Sequence, residues 1–149
     1  MSFSVIRSCP ACGTKNRVSA RHLADTGRCG SCKTPLPPSA EPIEVGDAGT
    51  FEEILRDTKV PILVDFWAAW CGPCHAAAPE VHALAQEVAG QALVVKVNTE
   101  NLPALASRYG VQSIPNFVVL QDGKVTFQQA GLVPRQQMRG WLQRSARVG

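Results

Sequence analysis

A long apolar run is the first thing this chain lacks. From Met1 to Cys9 nothing has the form of a secretory leader, and no later stretch is both long and apolar enough to cross a bilayer. The expectation is a protein made and kept in the cytoplasm, away from membranes. Charge is also sparse at 18% of residues, whereas hydrophobic residues reach 45%, so composition gives no case for disorder and supplies a core. Internal repeats are absent, and so is low-complexity sequence apart from one proline-rich stretch. With 149 residues, two large domains do not fit; one compact domain with a small appendage does.

The net charge of +3 is unevenly spread. Residues 1 to 40 carry six basic side chains against Asp25 alone, leaving the remainder slightly acidic. Such a patch suits nucleic acid or an acidic partner. Four thiolates around one zinc ion would remove much of it, so nucleic-acid binding is a minor reading.

Six cysteines are present, and a reducing compartment favours metal-binding or redox-active thiols over structural disulfides. They form two groups. Cys9-Pro10-Ala11-Cys12, sixteen intervening residues, and Cys29-Gly30-Ser31-Cys32 match the spacing of two zinc knuckles, with Gly13 and Gly30 nearby to turn the backbone. Four ligands close the coordination shell and leave no open position for catalysis, so Cys9, Cys12, Cys29 and Cys32 are expected to hold one structural Zn²⁺. About 35 residues cannot bury much core, and metal binding then supplies the folding energy. Two disulfides or an iron site also fit these ligands.

Pro35-Leu36-Pro37-Pro38-Ser39-Ala40-Glu41-Pro42 has four prolines in eight residues, which forbids a helix and favours an extended spacer. The expected division is a zinc module over 1–36, a linker over 37–42 and a main domain over 43–149. In the main domain, Thr50 with Glu53 reads as a capping box ahead of a helix carrying Phe51, Ile54 and Leu55. Pro61 to Trp67 and Ala92 to Val97 read as buried strands, with a helix after Cys71 between them. A further helix carries Leu102, Leu105, Ala106 and Tyr109. Phe117 to Leu120 and Val125 to Phe127 flank Asp122-Gly123 as a hairpin, and Met138, Trp141 and Leu142 mark a last helix. The order predicts an α/β fold with a central mixed sheet between helices.

Trp70-Cys71-Gly72-Pro73-Cys74 lies where a buried strand passes into a helix. That places the first sulfur at the positive end of the helix dipole, near unpaired N–H groups that stabilise a thiolate. Thiols so placed have pKa values of roughly 3.5 to 7.5, against about 8.5 for a free cysteine. Cys71 is expected to attack a disulfide and Cys74, a turn further in and less exposed, to resolve the mixed disulfide. The alternative, half of a metal site, is weakened by the complete four-ligand set elsewhere.

Residues 43 to 149 resemble the thioredoxin family, on Val64-Asp65-Phe66-Trp67-Ala68, Trp70 to Cys74, Pro79, Ile114-Pro115, Gly123 and Gly131. Cys9 to Val18 and Cys29 to Leu36 resemble the N-terminal part of the family's zinc-containing bacterial members. The resemblance implies the thioredoxin fold with a zinc-ribbon-like module, protein-disulfide reductase activity without an organic cofactor, a monomer, and partnership with thioredoxin reductase and disulfide-bearing clients. It implies that Asp65 is the buried carboxylate taking the proton from Cys74, with Lys96 facing it; an edge-exposed lysine is the other reading of Lys96. By the same resemblance Trp70, Gly72, Pro73, Ile114, Pro115 and Gly131 form the client-binding surface, with Pro115 as a cis-proline and Trp70 as an apolar lip, while Trp67 is read as core. The chain departs from the family at His75, usually Lys or Arg, and at Ala69, often acidic. Neutral imidazole leaves the rim less positive than the usual cation does. Two other functions fit the same residues: a binding protein switched by oxidative zinc loss, and a disulfide oxidase or isomerase, the latter opposed by Gly72-Pro73 and by the lack of a leader.

Overall fold

The computed structural model describes residues 3–148. Its sheet grows from short apolar runs that are buried on both faces. β6 (Ile62–Trp67), β7 (Leu93–Asn98) and β8 (Asn116–Gln121) lie at its centre, with β9 (Lys124–Ala130) at one edge and β5 (Ile43–Val45) at the other. β5 and β6 run parallel to β7, whereas β8 is antiparallel to both β6 and β9, so the sheet is mixed as expected. Asp122 and Gly123 both hold positive φ, at 55° and 78°, which is the turn geometry that closes a two-residue hairpin between β8 and β9.

Side chains alternate between two cores. Val64 and Phe66 point toward α1 (Ala48–Asp57) and α3 (Pro103–Arg108), in a cluster with Phe51, Ile54 and Leu105. Leu63 points the other way, toward α2 (Gly72–Glu87) and α4 (Arg135–Val148), in a cluster with Val81, Leu84, Met138 and Trp141. Asp65 lies on that second face, one alternation step beyond Leu63.

The start of α1 differs from the expected capping box. Asp47 is the cap, accepting from the Thr50 N–H at 2.7 Å, while Glu53 accepts from the Phe3 N–H at 2.6 Å. Glu53 is turned toward the N-terminal strand and so leaves the cap to Asp47.

The N-terminal segment contains two small antiparallel sheets, β1 (Ser4–Ser8) with β2 (Lys15–Ser19) and β3 (Gly27–Arg28) with β4 (Pro35–Leu36). A single 3₁₀ turn over Ala20–His22 carries Ala20 and Leu23 into the core beside Phe51 and Ile54. The proline-rich stretch is tied down as well. Ser39 N–H donates to Leu23 O at 2.8 Å, the Arg7 guanidinium donates to Pro37 O, and Pro38 lies against Gly90 ahead of β7. These contacts fall on α1 and at the start of β7, whereas Cys71 follows the far end of the parallel β6.

Candidate active site and metal centre

β6 ends at Trp67, and Cys71 caps the helix that follows. Its sulfur accepts from the Cys74 N–H at 3.1 Å, so the sulfur takes one of the donors that a helix start leaves unpaired. Pro73 fits the first turn because its missing N–H is not needed there. Cys71 and Cys74 are joined by a disulfide with their Cα atoms 5.2 Å apart. The expectation that Cys74 is the less exposed of the two fails: Cys71 is 3% accessible and Cys74 5%. What separates them is position, since Cys71 Sγ lies 3.7 Å from Ile114 O at the mouth of the site, while Cys74 sits within the helix.

The Ile114–Pro115 peptide is cis. Pro115 O accepts from the Gly131 N–H at 2.8 Å, and Gly131 has φ 98°, a conformation that suits glycine. Trp70 is 71% exposed and borders a groove of about 360 Å³ with Thr99, Val111, Ser113 and Ile114. His75 Nε2 lies 2.6 Å from Ala69 O, so the two departures from the family pattern touch each other across the loop.

Asp65 is 2% exposed, and its Oδ1 has no hydrogen-bond partner among the described residues. Burial pushes its carboxyl up to about 7, against the opposing pull of Lys96 and with a smaller push from Glu44. Lys96 is its register partner on β7. Trp67 is not core: it is partly exposed, its indole N–H donates to Glu44 Oε2 at 3.2 Å, and the Lys96 ammonium stands 4.7 Å from its ring centroid. Glu44 belongs to a strand of three residues, too short to show a period in the sequence.

The four module cysteines converge, with every Sγ within 4.8 Å of the others and the Cys9–Cys32 and Cys12–Cys29 pairs at 3.6 Å. Tetrahedral Zn–S bonds of about 2.3 Å place sulfurs about 3.8 Å apart, so the set fits one zinc ion. The knuckles are near copies. Ala11 N–H donates to Cys9 Sγ and Ser31 N–H to Cys29 Sγ, both at 3.4 Å, and Thr14 and Thr34 hydroxyls lie 3.2 Å from Cys12 and Cys32. Gly13 turns the first knuckle at φ 78°, but its counterpart in the second is Lys33 at φ 65°, not Gly30. Asn16, which the spacing alone did not single out, links the two: its amide N–H₂ points at Cys29 Sγ at 3.6 Å and its oxygen accepts from the Gly30 N–H at 2.9 Å. The backbone N–H groups of Cys32 and Ser31, then the Asn16 amide, hold the Cys29 thiol down to about 6, which suits a metal-binding thiolate.

Residues 41–144 match the family model described as Thioredoxin, and residues 8–34 match that described as Thioredoxin 2, N-terminal. Thioredoxin C-3 of Corynebacterium nephridii is 34% identical over 134 residues, 90% of each chain. The thioredoxin of Synechocystis sp. is 42% identical over 106 residues, 71% of this chain and 97% of its own. Among solved structures, a mutant thioredoxin from Halobacterium salinarum NRC-1 superposes with a TM-score of 0.67 at 30% identity, covering 72% of this chain and 93% of that one.

Proposed function

Because this chain belongs to the thioredoxin family and carries a zinc-ribbon N-terminal module, we propose that it reduces disulfides in client proteins with Cys71 as nucleophile and Cys74 as resolving thiol. The observation that carries this reading is Cys71 Sγ capping α2 while Cys74 sits one turn behind it, over the face that buries Asp65. Cys71 thiolate attacks one sulfur of the client disulfide, whose S–S bond breaks, and the other client sulfur leaves as a thiolate that takes a proton from water. Cys74 then gives its proton to the Asp65 carboxylate and attacks Cys71 Sγ, expelling the second client sulfur. The client gains two electrons, and the protein is left with the Cys71–Cys74 disulfide. Thioredoxin reductase, drawing on NADPH, returns it to the dithiol.

An extended client segment docks along the groove beside Trp70, with the Ile114 backbone pairing to it and Gly72, Pro73, Pro115 and Gly131 shaping the floor. Trp70 exposure and the groove's lining support that surface. The division into a module over 1–36, a linker over 37–42 and a reductase domain over 43–149 rests on the two cysteine groups; its ends, at residues 1, 2 and 149, lie outside the described residues. Cys9, Cys12, Cys29 and Cys32 hold the zinc, which supplies folding energy rather than chemistry at the redox pair. Ala20 and Leu23, packed under α1, favour a structural over a switching role. The protein acts as a monomer in the cytoplasm, where the four module thiols stay free of disulfides and available to a metal. Among the described residues no helix is long and apolar enough to cross a membrane.

The test is NADPH-coupled insulin reduction with thioredoxin reductase, beside a zinc determination on the same full-length sample. The expected result is one NADPH consumed per disulfide and one zinc per chain; absence of NADPH consumption with folded protein contradicts the reading.

Asp65→Asn separates the base from its surroundings. Between the ordinary aspartate range and about pH 7 the folded protein holds a proton that the unfolded chain has lost, so native stability falls as pH rises through this window. The amide removes that loss. Asp65→Asn is therefore expected to raise stability most above pH 7, by on the order of a few kcal/mol at most with Tm rising accordingly, and hardly at all near pH 4. The same variant slows release of the mixed disulfide. Thermal melts at pH 4 and pH 8 check the first effect and stopped-flow kinetics the second.

A further inference from the structure

We propose that Glu44 is a positioning residue for the Asp65–Lys96 pair: from the sheet edge it holds Trp67 and draws the Lys96 ammonium partly away from Asp65. Its consequence for catalysis rests on the reading of Asp65 as the base for Cys74.

The row is set by register. Glu44 on β5 pairs with Lys96 on β7, and Lys96 pairs with Asp65 on β6, so the three side chains share one face of the sheet. Trp67, two residues after Asp65 on β6, shares it too. Its indole N–H reaches Glu44 Oε2 at 3.2 Å while Lys96 Nζ stands 4.7 Å from its ring centroid. Among the described residues Lys96 makes no ion pair within 4 Å, so its charge lies over the indole between two carboxylates. The other neighbours of Asp65 do not supply this balance. On its face of the sheet stand Lys96 from β7 and Glu44 from β5, its β8 partner Phe117 is uncharged, and α2, which packs over that face, carries Cys74 in disulfide with Cys71. After burial, Lys96 and Glu44 are the charges that act on Asp65, in opposite directions. Glu44 is exposed on an edge strand, so its substitution leaves the core intact.

Glu44→Gln keeps an acceptor for the indole and removes only the charge. The Asp65 carboxyl carbon is followed by ¹³C NMR against pH in the oxidised full-length protein, with Lys96→Met as the opposing variant, and insulin reduction is measured across the same range. Glu44→Gln is expected to move the Asp65 midpoint to lower pH and Lys96→Met to higher pH, with the rate profile following. A midpoint in Glu44→Gln that stays in place or rises overturns the proposal. A lowered midpoint with an unchanged rate profile keeps the action of Glu44 on Asp65 and instead removes Asp65 from the reaction.

Discussion

Replacing Cys74 with serine is expected to turn a reductant that cycles into a trap that reacts once. Cys71 keeps its place as the cap of α2, so attack on a client disulfide still occurs. The second attack has no sulfur to make it, and one client chain stays bound through Cys71. Turnover in the coupled assay falls to the uncatalysed background, while non-reducing electrophoresis shows a covalent adduct that dithiothreitol releases. The reciprocal variant, Cys71→Ser, forms no adduct through α2. Adduct formation with retained turnover in Cys74→Ser would mean that the order of the two sulfurs is reversed or unnecessary.

The second large effect belongs to the zinc module. Cys29→Ser removes a ligand that is buried and also braced by Asn16 and Ser31. Structural zinc contributes about 10 to 16 kcal/mol to folding in small zinc-finger peptides, far more than the few apolar contacts of this module can replace. Bound zinc is expected to drop from one per chain to none. The effect spreads, because Leu23 is fully buried against the α1 side of the main core, and burial of such a side chain contributes about 2 kcal/mol. Thermal unfolding of the whole chain then shifts to lower temperature by several degrees. Activity at 25 °C persists, since the module contacts α1 and the start of β7 rather than the cysteine helix. Atomic absorption and calorimetry on one sample check both parts; an unchanged Tm in zinc-free protein would show the two units to be independent.

The main sheet and the redox pair were legible because their signals are local. β6, β7 and β8 are short apolar runs, Asp122-Gly123 is a turn dipeptide, and the cysteine motif sits at a strand-to-helix junction. Asp65 stood out as one acid among apolar neighbours. The features that escaped depend on neighbours distant in sequence. Trp67 reads as core from its apolar surroundings, but the end of β6 faces a charged row that runs out to Glu44 on a three-residue edge strand. Thr50 and Glu53 have capping-box spacing, yet Glu53 is occupied by the Phe3 backbone fifty residues earlier. The prolines of residues 35–42 read as a spacer; only the fold shows that this stretch is bonded to Leu23 and Arg7 and that the module shares a core with α1. Gly30 lies inside the knuckle motif, whereas the left-handed turn falls on Lys33, whose ammonium donates to Gly30 O at 2.9 Å.

Disulfide reduction by this chain requires that Cys71 be held as a thiolate by the start of α2. Its most direct test is rapid alkylation of the reduced, zinc-loaded protein across pH, with the modified residue identified by mass spectrometry. Cys71 is expected to be modified first, with a midpoint below the roughly pH 8.5 of a free thiol, while Cys74 and the module cysteines are spared. Modification of Cys74 ahead of Cys71, or a Cys71 midpoint at the free-thiol value, would contradict it.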